Sequence, residues 1–247
     1  PLRLVGSEMC IRDRALIMQL ILLRRRSALR QLRSKKFGLE MPATQLRGVL
    51  ANFDQALPFE LTDGQKKVCA EIERDLAGEI PMYRLLQGEV GSGKTVVALR
   101  AMLRVVDGGG QSALLAPTEV LAQQHFRNLK KILGPLAEAG TLGADAGAIS
   151  VALLTGSMSA GEKSRIHEAL RRGEIDIVIG THALIVDDVD FKDLGLLVID
   201  EQHRFGVEQR DALRTRGELT PHILVMTATP IPRTVAMTIF GDLDISI

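Results

Sequence analysis

From Tyr83 onward the chain repeats one texture. Short apolar runs, RLLQG, SALLAP, ISVALL, DIVIG, LGLLVIDE and HILVMTATP, are separated by segments long enough to form helices. A run that is apolar throughout has no face suited to water, so each predicts a strand buried on both sides. Six such strands alternating with helices build a mainly parallel sheet with helices on both faces, an α/β wound fold. The 46% hydrophobic content over 247 residues supplies the core that such a sheet needs.

Ahead of this region, residues 15 to 36 are rich in helix formers and contain no Gly or Pro. They predict one long helix with a basic end, followed by a short helix over about 43 to 54. The Gly- and Ala-rich segment from Gly134 to Gly147 lacks a period and is expected to be a surface connection. No internal repeat is evident.

The formal charge of +1 excludes a disordered polyelectrolyte and a uniformly basic protein, but it hides an asymmetry. Residues 1 to 50 carry 11 basic and 3 acidic side chains, whereas residues 51 to 247 carry 20 and 27. The early arginines read as a solvated helix face or as a basic strut near nucleic acid, and the run alone does not choose. Two cysteines, Cys10 and Cys69, make no disulfide framework and point to a reducing compartment, the cytoplasm. The apolar stretch Ala15 to Leu23 is about nine residues against the roughly 20 of a membrane span. Arg24, Arg25 and Arg26 then stand where an export signal would need small residues. No membrane partner is expected.

The most specific local signal is Gly88-Glu89-Val90-Gly91-Ser92-Gly93-Lys94-Thr95, a Walker A pattern directly after a predicted strand, with a helix beginning at about Lys94. Gly88, Gly91 and Gly93, with Ser92 between the last two, let backbone amides approach triphosphate oxygens. The helix N-terminus and the Lys94 ammonium add positive charge, and the Thr95 hydroxyl suits Mg2+. A second element, Leu196-Leu197-Val198-Ile199-Asp200-Glu201, ends an apolar strand on two carboxylates. Ligands of wound sheets gather at that edge, so Asp200 is placed for Mg2+ and Glu201 for activating a hydrolytic water. His125, His167 and His222 read as satisfied structural histidines, and Met102, Met226 and Met237 as core filler.

Further motifs carry a resemblance. Asp200-Glu201-Gln202-His203 with Arg204-Phe205-Gly206-Val207, and Met226-Thr227-Ala228-Thr229-Pro230, resemble motifs II and III of superfamily 2 DNA helicases. Ala116-Pro117-Thr118, Leu154-Thr155-Gly156-Ser157 and Ile179-Gly180-Thr181-His182 look like the strand-end motifs that contact DNA in that superfamily, and they occur in its order. Within it the chain resembles the RecG family of branched-DNA helicases over about residues 15 to 247. The Asp-Glu-Gln-His box and Pro58-Phe59-Glu60-Leu61-Thr62 leading into Gln65 favour that family over the transcription-repair coupling factors. Glu89 departs from it, since Asp is common there.

The resemblance implies a RecA-like P-loop NTPase lobe over 58–247, preceded by a helical linker over 15–57. ATP and Mg2+ are the implied cofactors, branched or forked DNA the partner, and a monomer in the bacterial cytoplasm near the nucleoid the setting. Phe59, Thr62 and Gln65 are expected around adenine, where the Gln65 amide can both donate and accept. Lys94, Asp200 and Glu201 are the expected catalytic set. Thr118, Thr155 and Thr181 are expected to hold nucleic-acid phosphates without reading sequence. Any one of these threonines taken alone is better read as a helix cap or turn hydroxyl, and their recurrence at successive strand ends carries the set. His203, Thr227 and Thr229 are expected to transmit between nucleotide and DNA.

The second RecA-like lobe, its arginine finger and the upstream wedge domain are expected to lie outside this sequence, which then reads as a fragment. Residues 1–14 look like a translated adapter tail. Without the finger, turnover should fall by roughly 10³ to 10⁵, so weak ATP binding, poor hydrolysis and no unwinding are expected. The alternatives are a coupling-factor translocase and a regulatory ATP- or DNA-binding module that never turns over. Glu201 argues against the latter.

Overall fold

The structure is a computed structural model that describes residues 16–17, 20, 23–24, 27, 31–38, 48–137, 147–181, 184, 189–200, 219–228 and 243–246. In chain order these contain α1 (Val49–Ala56), α2 (Asp63–Leu76), β1 (Tyr83–Gln87), α3 (Lys94–Asp107), β2 (Gln111–Leu115), α4 (Glu119–Leu133), β3 (Val151–Leu154), α5 (Ala160–Arg172), β4 (Ile177–Gly180), β5 (Leu194–Asp200), β6 (His222–Thr227) and β7 (Asp244–Ser246).

The strands form one seven-stranded sheet in the order β3-β4-β2-β5-β6-β1-β7. Every recorded pairing is parallel. The all-apolar runs behave as their composition requires, because β2, β4 and β6 are buried along their full length. Alternate residues of β5 separate cleanly: Leu196 and Val198 join the core under α1 to α4, whereas Leu197 and Ile199 join the core of the opposite face with Leu170 of α5. Met102 and Met226 fill the first of these cores as expected; Met237 lies outside the described residues.

Three expectations are corrected. The sheet has a seventh strand, β7, which pairs with β1. Its three residues, Asp-Ile-Ser, begin with an exposed side chain and carry no apolar run that composition could register. Gly134–Ala137 forms a 3₁₀ turn with Leu136 buried, so the start of the presumed surface connection is part of the core.

The third correction concerns residues 15 to 36. The described positions from 16 to 27 are helical, but residues 33 to 37 form a non-helical strap. Phe37 is fully buried, and a side-chain carbon added at Gly110 or Gly195 would strike its ring at 2.8 or 2.5 Å. Burial of that ring offsets the helix preference of the surrounding sequence. Backbone bonds finish the docking, with Ser34 N–H donating to Glu79 O, Phe37 N–H to Leu76 O and Thr220 N–H to Arg33 O. Of the helix expected over about 43 to 54, residues 49 to 54 are helical, the helix runs on to Ala56, and 43–47 lie outside the described residues.

Candidate functional site

All the strand-end motifs within the described residues meet at the carboxyl rim of this sheet. Leu86 and Asp200 are both in register with Met226, so the end of β5 lies two strands, about 10 Å, from the strand that feeds the glycine loop. Gly88 N–H reaches Thr227 O at 3.4 Å, tying that loop to the end of β6. Lys94 and Asp200 therefore share one edge, while Glu201 lies outside the described residues.

The loop is shaped by residues that leave no room for side chains. Gly91 and Gly93 hold φ of 83° and 82°, in the left-handed region that only glycine adopts cheaply. A carbon added to Gly88 would come within 2.6 Å of Ser92 Oγ, and one added to Gly93 would collide with Gln65 Nε2. Gly93 caps α3 without a side-chain hydrogen bond and no acidic residue occupies the first turn, which favours an anion at the helix start. Lys94 Nζ donates to Gly88 O at 2.8 Å and to Glu89 O at 2.7 Å, so the ammonium sits within the loop's own cradle.

The adenine candidates adjoin it. Thr62 and Gln65 form a capping box at the start of α2, in which Thr62 N–H donates to Gln65 Oε1 at 2.9 Å and Gln65 N–H to Thr62 Oγ1 at 3.3 Å. Gln65 Nε2 then donates to Ser92 O at 2.9 Å, joining α2 to the glycine loop. An amide oxygen accepts twice and an amide nitrogen donates twice, so each end of Gln65 retains a second position for a base edge. Phe59 is 47% exposed and lines a cleft of about 550 Å³ with Leu57, Pro58 and Lys66. The donors fit a magnesium nucleotide: a collapsed glycine cradle for phosphate, and the hard oxygens of Thr95 and Asp200 for the ion.

The three threonines follow strand ends, but their settings differ. Thr118 is exposed and caps α4, its Oγ1 accepting Leu121 N–H at 3.3 Å. Thr155 and Thr181 are 2% and 3% exposed, so the polar surface of the Thr155 segment is offered by its neighbours Gly156 and Ser157. Thr227 is also buried. His203 and Thr229 lie outside the described residues.

Two rim residues carry contacts that sequence reasoning missed. Glu119, the first residue of α4, accepts Ser157 N–H at 3.0 Å and Ser157 Oγ–H at 2.6 Å, clamping the Thr118 segment to the Thr155 segment. The Ser157 hydroxyl bond holds its carboxyl below the usual carboxylate range. His125 of α4 places Nε2 2.7 Å from Asp200 Oδ2. This corrects its reading as a satisfied structural histidine, because its partner is the candidate metal carboxylate and its buried Nδ1 has no partner among the described residues. His167 Nε2 is likewise buried with no partner among the described residues. His222 does behave as expected. Its Nδ1 accepts Met82 N–H at 3.0 Å, which leaves the proton on Nε2, 2.9 Å from both Lys35 O and Ser34 Oγ.

A parallel sheet whose carboxyl rim gathers a glycine cradle, a strand-end carboxylate and a row of threonines has the RecA-like fold of a helicase lobe. The chain belongs to the DEAD/DEAH box helicase family, whose model matches residues 62–238. It is similar to the ATP-dependent DNA helicase RecG of Mycobacterium tuberculosis (strain CDC 1551 / Oshkosh), 58% identical over 206 residues that cover 83% of this chain and 28% of that relative. RecG of Aquifex aeolicus (strain VF5) is 44% identical over 238 residues, covering 96% of this chain and 28% of the relative. The chain thus spans little more than a quarter of the length of these relatives. Among solved structures, RecG bound to a three-way DNA junction superposes with a TM-score of 0.76 at 42% identity, covering 94% of this chain and 29% of that one. The helicase MrfA, at 19% identity and a TM-score of 0.56, shares the fold.

Proposed function

We propose that this chain is the nucleotide-binding motor lobe of an ATP-dependent DNA helicase that remodels branched DNA, forks and Holliday junctions, in recombination and repair. The observation that carries the reading is the shared rim. The Gly88–Thr95 cradle after β1, the Asp200 carboxylate at the end of β5 and the exposed Thr118 cap after β2 stand along one rim of one sheet, in a chain with RecG helicases among its relatives. The same relatives favour this reading over a coupling-factor translocase.

In this reading the glycine loop binds the triphosphate through backbone N–H groups, and Lys94 exchanges the carbonyls of Gly88 and Glu89 for phosphate oxygens. Thr95 and Asp200 hold Mg2+, which neutralises phosphate charge when bound. Glu201, one residue beyond β5, orients the attacking water and accepts its proton. Phe59, Thr62 and Gln65 surround the adenine. Thr118, with the rim around Thr155 and Thr181, holds a nucleic-acid strand by its backbone, and His203, Thr227 and Thr229 transmit the state of the nucleotide to that face.

Titration of the chain with a fluorescent ATP analogue, alone and with a three-way DNA junction, tests this. Lys94→Ala is expected to weaken binding by about 30-fold or more, the cost of removing one partner of a desolvated charge pair. Glu201→Gln is expected to spare affinity while cutting whatever turnover the chain supports by about 10² to 10⁴. Nucleotide binding that survives Lys94→Ala would overturn the assignment.

A further inference from the structure

The link between His125 and Asp200 joins two parts of the rim that the motifs treat separately. His125 and Asp200 are 13% and 18% exposed at their side chains, so their 2.7 Å contact is shielded from water and geometrically constrained. Among the described residues the other oxygen of Asp200 has no partner. One carboxylate oxygen is therefore tied to a helix, and among the described residues nothing engages the other.

That helix is α4, a rigid element of 15 residues whose N-cap is Thr118, two turns before His125. Its first residue, Glu119, grips Ser157 by two hydrogen bonds. A nucleic-acid strand resting on the Thr118 and Ser157 segments thus presses on the body that orients Asp200. A packed helix carrying one contact at its first residue and another near its middle can pass a small displacement from one site to the other.

We infer that His125 is a positioning residue: through its Nε2 it fixes the Asp200 carboxylate for Mg2+, and through α4 it couples that carboxylate to the DNA-facing rim. This inference rests on the proposed function and adds to it a coupling route distinct from His203, Thr227 and Thr229. Because coupling is reciprocal, DNA should tighten magnesium nucleotide by the same factor by which magnesium nucleotide tightens DNA.

The test uses this chain and a fluorescent ATP analogue, titrated in EDTA, in Mg2+, and in Mg2+ with a three-way DNA junction. His125→Phe keeps a ring but no donor, His125→Asn has a donor too short to reach, and His125→Gln places an amide N–H near the Nε2 position. The Phe and Asn variants are expected to lose about 10-fold or more of the gain in affinity that Mg2+ confers, as removal of a residue behind a metal ligand does. They should also lose the further gain from DNA, while Gln retains both. The inference is overturned if the wild-type chain shows no Mg2+ gain, if Phe and Asn keep it, if Gln loses it as fully as Phe, or if the DNA gain outlives the Mg2+ gain. Should Phe fail to fold, the Asn and Gln pair decides alone. Failure of the functional assignment looks different, since Lys94→Ala would then leave nucleotide binding intact.

Discussion

The two edges of the sheet are built for opposite purposes. At the carboxyl rim, polar groups are held in place yet keep capacity in reserve: Gln65 retains a second position at each end, Lys94 is bonded to carbonyls it can leave, and among the described residues Asp200 engages one oxygen. At the amino edge the described groups are engaged on every side. The strap of residues 33 to 37 crosses the starts of β6, β1, β5 and β2, His222 has both nitrogens engaged, and Phe37 fills the space above Gly110 and Gly195. Lys35 adds an ion pair to Asp193 at 2.5 Å, and Arg33 one to Glu79 at 2.8 Å. Those pairs are half exposed and contribute little, so the buried ring and the satisfied histidine anchor the strap. Groups that must change partners are kept at one edge and groups that must not move at the other.

If this division holds, changes at the amino edge alter stability and changes at the rim alter ligands. The largest expected effect is Phe37→Ala, a loss of about 3–5 kcal/mol that lowers the melting midpoint by about 6–20 °C in a chain of this size. Calorimetry checks it, and a shift under 2 °C would show that the strap is ornamental. Lys94→Ala should produce the reverse pattern, a large loss of nucleotide affinity with a melting midpoint close to wild type. A matching loss of stability would erase the distinction between the edges.

Acidification is a smaller lever on the amino edge. Burial pushes the folded-state pKa of His222 below its ordinary value, partly opposed by the Lys35 carbonyl. The unfolded chain then takes the proton more readily, so this contribution to stability is complete above about pH 6.5 and is lost as pH falls through the folded-state value. Protonation would set an Nδ1–H against the Met82 N–H. Thermal melts at decreasing pH should show a decline that His222→Gln flattens. The smallest expected effect is Thr118→Ala, about 1 kcal/mol from the lost α4 cap. Thr118→Ser should restore stability, and a DNA affinity that tracks the hydroxyl would place this cap among the phosphate contacts.

Much of this was legible in the chain. The glycine loop could be read because its chemistry is confined to eight consecutive positions, and the strands because each carries its own burial requirement. The capping box of Thr62 and Gln65 spans four residues and falls within the same local reach. The strap failed that test, since residues 33 to 36 look helical until the cavity that accepts Phe37 exists. His125 and Asp200 are separated by 75 positions, and Glu119 and Ser157 by 38, with no local pattern announcing either pair.

The sequence by itself determined the parallel sheet, the phosphate cradle and the family of motifs, because backbone conformation, side-chain period and short turns are decided between neighbours. Only the tertiary structure decided which strand ends became neighbours, where the early helix gave way to the strap of residues 33 to 37, and which histidine met the metal carboxylate. Such contacts depend on strand order and on cavities assembled from distant segments, and no run of adjacent residues contains them.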